Sequence, residues 1–110
     1  MKKNIEEMKQ ENGHFEINGR EYVLTEQASF KSDPRPSIDG WEMDDYYSAR
    51  AICQADETDE DGYQKCYLVR WEILESYDPE RAGEDFACDW DSPESVEELC
   101  EYSLETGCYY

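Results

Sequence analysis

Tyr46-Tyr47-Ser48-Ala49-Arg50-Ala51-Ile52-Cys53 and Cys66-Tyr67-Leu68-Val69-Arg70-Trp71-Glu72-Ile73-Leu74 are the two halves of the stretch on which the fold turns, Asp45 to Leu74. In the second half Tyr67, Val69, Trp71 and Ile73 alternate with mostly polar residues, the period of a strand with one buried face. Residues that face each other across an antiparallel pair share a face. The odd-numbered set Tyr47, Ala49, Ala51 and Cys53 must therefore meet the odd set Tyr67 to Ile73. A three-residue loop, Glu60-Asp61-Gly62, with Gly62 in the left-handed conformation gives that parity. It predicts Asp59 opposite Tyr63 and Ala51 opposite Trp71. A two-residue Asp61-Gly62 turn would put half of the apolar residues in water.

Upstream, Phe15-Glu16-Ile17-Asn18-Gly19-Arg20-Glu21-Tyr22-Val23-Leu24 predicts a second hairpin. Asn-Gly favours a turn with both central residues at positive φ, which pairs Ile17 with Arg20 and Phe15 with Tyr22. Residues 1–12 read as a polar leader, frayed or briefly helical. Between the hairpins, Pro34, Pro36 and Gly40 predict a long irregular connection over 28–43, with Phe30, Ile38 and Trp41 against the core edge. A second irregular stretch runs from Glu75 to Asp91.

The C-terminal segment carries helix signals. Ser92 suits an N-cap, Pro93 the first helical position and Glu94 the positive end of the helix dipole. Val96, Leu99, Cys100, Ser103 and Leu104 recur at helical spacing, and Gly107 fits a terminator. The spacing predicts a helix over about 93–106. The expected architecture is a single α+β domain over residues 1–110. It has an antiparallel sheet of about four strands, from two hairpins, with the C-terminal helix packed on one face.

At 110 residues the chain suffices for one modest core. Its net charge is −19, and aromatics form 14% of it, more than acidic disordered chains carry. The charge is uneven. Residues 1–55 hold 11 acids and 7 bases, whereas residues 56–110 hold 18 acids and 3 bases. Such a potential repels nucleic acid and anionic membranes and attracts basic surfaces. Lys2 and Lys3 are followed by Asn4-Ile5-Glu6-Glu7-Met8 rather than an apolar secretory core, and no apolar run has membrane-spanning length. Five cysteines, odd in number and without a Cys-x-x-Cys pair, predict reduced thiols in a cytoplasm.

Two groups of acids stand out as candidate partner contacts. Asp56, Glu57, Asp59, Glu60 and Asp61 crowd the tip of the main hairpin. Glu94, Glu97, Glu98, Glu101 and Glu105 would line one sector of the predicted helix, with Asp89 and Asp91 just before it around Trp90. On a helix rising about 1.5 Å per residue these glutamates would present a charge about every 4 Å. One strand of duplex DNA carries one about every 3.4 Å. The plain alternative for both groups is a solvated face that keeps the protein soluble. The order Glu57-x-Asp59-x-Asp61-Gly62 echoes a calcium loop, but Glu holds its first position and Leu68 its twelfth, where a bidentate Glu is required. His14 is the only histidine and has no cysteine at ligand spacing. No catalytic or phosphate-binding motif occurs. The expectation is a non-enzymatic protein without metal or cofactor.

In size, charge and compactness the whole chain resembles the small acidic proteins of phages and mobile elements that block host defence, the anti-CRISPR and anti-restriction proteins of the DNA-mimic type. That resemblance implies an inhibitor in a bacterial cytoplasm. Its partner would be a basic nucleic-acid-binding protein such as a CRISPR effector nuclease or a restriction enzyme. No direct contact with nucleic acid or membrane is implied. The alternative is a small acidic interaction or accessory domain whose charge serves solubility, with its partner contact in the Pro-containing segment from Asp33 to Trp41.

Overall fold

The first hairpin forms as its Asn-Gly turn dictates. In the computed structural model, which describes residues 4–83 and 86–110, β1 (His14–Ile17) and β2 (Arg20–Leu24) pair Ile17 with Arg20 and Phe15 with Tyr22. Asn18 and Gly19 have φ of 52° and 79°, the left-handed values that this turn requires. Residues 1–3 of the leader and residues 84 and 85 of the second irregular stretch lie outside the described residues.

Four more strands complete one antiparallel sheet: β3 (Ser29–Ser37), β4 (Gly40–Cys53), β5 (Tyr63–Glu72) and β6 (Ser95–Ser103). The order is β1-β2-β4-β5-β6. β3 lies on the same side of β4 as β2, paired to the earlier part of that long strand. Among the described residues, the expected four-stranded sheet with a C-terminal helix is therefore replaced by six strands and one short N-terminal helix, α1 (Ile5–Asn12).

Two predicted segments change type, each for a physical reason. Residues 93–106 were expected to be helical, yet Ser95–Ser103 pair with β5 and satisfy the backbone groups of an otherwise open sheet edge. Leu99 is an extra residue there. Cys66 faces Cys100, whereas Tyr67 faces Glu98. This bulge shifts the two-residue period, so the apolar residues of β6 fall at spacings that imitate a helix. Ser92 and Glu94 serve a turn and a strand entry. Ser92 N donates to Asp89 O, and Glu94 N donates to Arg70 O.

The second change is at 28–43. Pro34 and Pro36 were expected to exclude a regular element, but they stand in β3, opposite Met43 and Trp41. Being two residues apart, they direct their missing donors to one side. β3 pairs with β4 alone, so that side is the outer edge, where proline is tolerated. Phe30, Ile38 and Trp41, expected at the core edge, are exposed.

The main hairpin keeps the expected parity but not the expected register. Ala51 faces Tyr67 and Tyr47 faces Trp71. Asp59 N still donates to Tyr63 O at 2.7 Å, and Gly62 has φ of 86°. The ladder ends at Ile52 and Cys66, however, and the added residues loop out between Cys53 and Asp59.

Both faces of the sheet are covered. One face buries Phe15, Tyr22, Leu24, Tyr47, Ala49, Ala51, Val69 and Trp71 beneath Ala87, Cys88 and Trp90 of the segment joining β5 to β6. The other buries Val23, Ile52, Cys66 and Tyr102 beneath Met8 of α1 and Tyr109 of the returning C-terminus. The leader is thus an ordered helix, capped by Asn4, whose side chain accepts from Glu6 N. The protein measures 51 × 30 × 28 Å, elongated along β4.

Candidate interaction surfaces

β4 has 14 residues, which at about 3.3 Å each span roughly 45 Å. Its two ends lead to different surfaces.

Beyond Cys53 lies the acidic tip. Asp59 organises it, since its Oδ1 accepts from Asp61 N at 3.0 Å and from Tyr63 N at 2.9 Å. Glu57, Glu60 and Asp61 are exposed. Glu105 comes to the same place from the far end of β6, and a methyl group at Gly62 would stand 3.8 Å from its Oε2. Asp56 is different. It accepts from Arg20 Nη2 at 2.9 Å and from the Tyr67 hydroxyl at 2.6 Å, which makes it a structural tie. Burial and this carboxylate both push the Tyr67 phenol above its ordinary pKa.

The remaining predicted contacts do not form one stripe. Glu97 faces Leu68, so it projects from the α1 side of the sheet. Glu98 and Glu101 face Tyr67 and Lys65, so they project from the Trp71 side. Glu98 lies 3.4 Å from Lys65 Nζ, and Glu94 lies 3.3 Å from Arg70 Nε. Asp89 and Asp91 are exposed beside Trp90, toward the opposite end of the sheet from the tip. The structure brings together Glu57, Asp59, Glu60, Asp61 and Glu105, and it separates the others.

The cations are almost wholly used within the chain. Lys9, Arg20, Arg35, Arg50, Lys65, Arg70 and Arg81 each have a carboxylate partner, leaving only Lys31 among the described cations. No ion pair among the described residues involves Glu57, Asp59, Glu60, Asp61, Glu97, Glu101 or Glu105. No group of three His, Cys, Asp or Glu side chains among the described residues is arranged to hold a metal ion. The thiols of Cys66 and Cys88 are poor nucleophiles at neutral pH, because burial pushes Cys66 up to about 12 and Cys88 up to about 11.

Before Tyr46, β4 leaves the body of the sheet. Its residues 40–45 pair with β3 but not with β5, and the two strands form a free ribbon closed by Ile38 and Asp39. Strand alternation sorts its side chains. Phe30, Ser32, Pro34, Pro36, Trp41, Met43 and Asp45 occupy one face, mostly apolar but crossed by the Ser32–Asp45 pair; Lys31, Asp33, Arg35, Glu42 and Asp44 occupy the other. Trp41 is 74% exposed, Met43 57% and Phe30 51%. The apolar face runs into the body of the protein, where Phe30 meets Tyr47 edge-on at 5.8 Å and Tyr47 meets Trp90 at 5.4 Å. There a cleft of about 400 Å³ opens between Glu11, Leu24, Gln27, Ala28, Tyr47 and Trp90. The sequence named Asp33 to Trp41 as an alternative partner contact, but as an irregular connection rather than as one face of a two-stranded ribbon. The alternation of Phe30, Pro34 and Pro36 against Trp41 and Met43 was its available signal.

Among the described residues no helix is long and apolar enough to cross a membrane. Comparison of the chain with protein-family models, curated proteins and solved structures gives no match.

Proposed function

We propose that this is a non-enzymatic inhibitor that binds a basic nucleic-acid-binding protein and competes there with nucleic acid. The observation that carries the reading is the pairing of charge. The described cations are consumed internally, apart from Lys31, while the carboxylates of Glu57, Asp59, Glu60, Asp61 and Glu105 converge at one end without a counter-charge. A projecting anionic end of this kind suits a positively charged groove, speeds encounter with it and disfavours acidic surfaces. The resemblance to small acidic anti-defence proteins gives the class of target, a CRISPR effector nuclease or a restriction enzyme. The acidic surface is the hairpin tip with Glu105, not a glutamate-lined helix.

The test is capture from a bacterial lysate at low salt. Expected is a basic nuclease or other nucleic-acid-binding protein, released by raising the salt and displaced by duplex DNA. The variant Glu57→Gln, Glu60→Gln, Asp61→Asn, Glu105→Gln keeps the shape, removes four charges and should lose the partner. Equal capture by this variant, at low and high salt, would overturn the reading.

A further inference from the structure

We propose that Cys66 and Cys100 are a redox-responsive thiol pair, which a disulfide oxidant joins to tie β6 to β5. This goes beyond the proposed inhibitor and does not depend on it.

The pair arises from the register of the last strand. Cys66 and Cys100 stand directly opposite each other where β5 meets β6. Opposed residues of an antiparallel pair have Cα atoms about 4.5–5.5 Å apart, inside the range of about 4.4–6.8 Å that a disulfide spans. Their Cβ atoms lie about 4.5–5.5 Å apart in such a pair, against about 3.5–4.5 Å in a disulfide. An approach of about 1 Å therefore closes the bond. The strand has slack for it, because Leu99, the extra residue of the bulge, adjoins Cys100, and a bulge interrupts the ladder and lets the strand bend. Both side chains belong to the cluster beneath α1, and the Cys100 thiol reaches the Cys66 thiol as a hydrogen-bond partner.

The remaining thiols stand elsewhere. Cys53 and Cys88 belong to the core of the opposite face. Cys108 lies beyond the turn that follows β6, where its backbone oxygen accepts from Ser103 N at 3.0 Å. Ser103 is about 10 Å along the strand from Cys100. Cys66 and Cys100 are thus the pair that the sheet itself holds in register.

Burial sets the order of the exchange. Cys66 is fully buried and holds its proton, whereas Cys100 is half-buried at the rim of the same cluster. Cys100 is therefore the thiol that first meets a small disulfide oxidant such as oxidised glutathione. Its thiolate attacks one glutathione sulfur, the glutathione disulfide breaks, and Cys100 is left in a mixed disulfide. The Cys66 thiolate then attacks the Cys100 sulfur and expels the second glutathione. Each leaving thiolate takes up the proton of the protein thiol that displaced it. Two protein thiols are oxidised to one disulfide, and one glutathione disulfide is reduced to two thiols. The new bond restricts the unfolded chain and so favours the native one. It acts on β6, the strand that ends the sheet order and carries Glu97, Glu98 and Glu101.

The test incubates the full native chain in glutathione buffers graded from reduced to oxidised, then alkylates, digests and maps it by mass spectrometry without reductant. Wild type should lose the mass of two hydrogens and yield a peptide pair joined through Cys66 and Cys100. Its melting temperature should rise by several degrees on oxidation and return with dithiothreitol. Cys100→Ser should abolish both the bond and the shift. Cys66→Ala should instead stop at the first step, with one glutathione held on Cys100. Cys108→Ser, at an exposed position, should behave as wild type. Full alkylation of wild type at both positions in the oxidised buffer, a bond from either cysteine to a different one, or a melting shift retained by Cys100→Ser would each overturn the inference. The wild-type peptide map decides the matter even where a variant folds poorly.

Discussion

The indole nitrogen of Trp71 donates a hydrogen bond to the backbone carbonyl of Trp90, 3.1 Å away, and the two rings meet edge-on at 5.2 Å. This contact fastens the segment between β5 and β6 onto the sheet, together with the bond from Glu94 N to Arg70 O, while Leu74 N donates to Ala87 O within the segment itself. Trp71 is 1% exposed. Trp71→Ala should remove the centre of that core and cost about 3–5 kcal/mol in urea unfolding. Trp71→Phe keeps most of the volume but removes the indole N–H that donates to the Trp90 carbonyl, and should cost about 1–3 kcal/mol. A loss below about 1 kcal/mol for Trp71→Ala would contradict the core placement.

Trp71 also marks how far the sequence was legible. Its burial follows from alternation within one strand, and the Asn18-Gly19 hairpin follows from turn chemistry within four residues. Its partner does not follow, because register depends on a distant tie. Arg20 and Tyr67 draw Asp56 back against the sheet, and the added residues that loop out move Tyr47, not Ala51, opposite Trp71. The ribbon was hidden because prolines argue against strands unless the edge is known, and an edge is a property of the whole sheet. The site followed suit. Exposed acids at the tip could be read locally, whereas the position of Glu105 beside Gly62 required β6 to be a strand.

Asp56 and Glu60 should behave differently although both are tip acids. Asp56→Ala breaks the Tyr67 bond and should cost about 1–2 kcal/mol. Arg20 is too exposed for its ion pair to add much. Glu60→Gln should leave chemical stability unchanged or slightly raised, since it relieves repulsion with its neighbours. Equal effects of the two substitutions in denaturant titrations would mean that Asp56 is not a structural tie.

Alkali should unfold the protein earlier than its surface alone requires. Burial raises Cys66, Cys88, Tyr67, Tyr102 and Tyr109, and the Asp33 hydrogen bond raises Tyr46. The native state therefore holds protons that the unfolded chain releases, and stability falls as pH rises. The contribution is intact below the ordinary thiol and phenol values, about 9 and 10, and is lost above them. Melting temperature should be level from neutral pH to about 8.5 and fall thereafter. Cys88→Ala should shallow that fall. A melting temperature that held constant through strong alkali would contradict the burial of these groups.

Glu97 gives the most direct test of β6, because helix and strand predict opposite signs for one substitution. In β6, Glu97 faces Leu68 on an exposed edge position. Threonine there adds a β-branched side chain on a scale that spans about 1 kcal/mol in strands, and it removes one charge from a strongly acidic strand. Glu97→Thr should therefore raise stability by a few tenths of a kcal/mol or more. In the helix that the local signals of Ser92, Pro93 and Glu94 suggest, the same change would lose about 0.5 kcal/mol of helix propensity. Relief of repulsion would favour the variant in either structure, so Glu97→Gln serves as the reference, removing the charge without a β-branched side chain. Stability of Glu97→Thr above that of Glu97→Gln, in matched urea titrations, is the signature of the strand. The reverse order would return residues 95–103 to a helix and reopen the edge of β5.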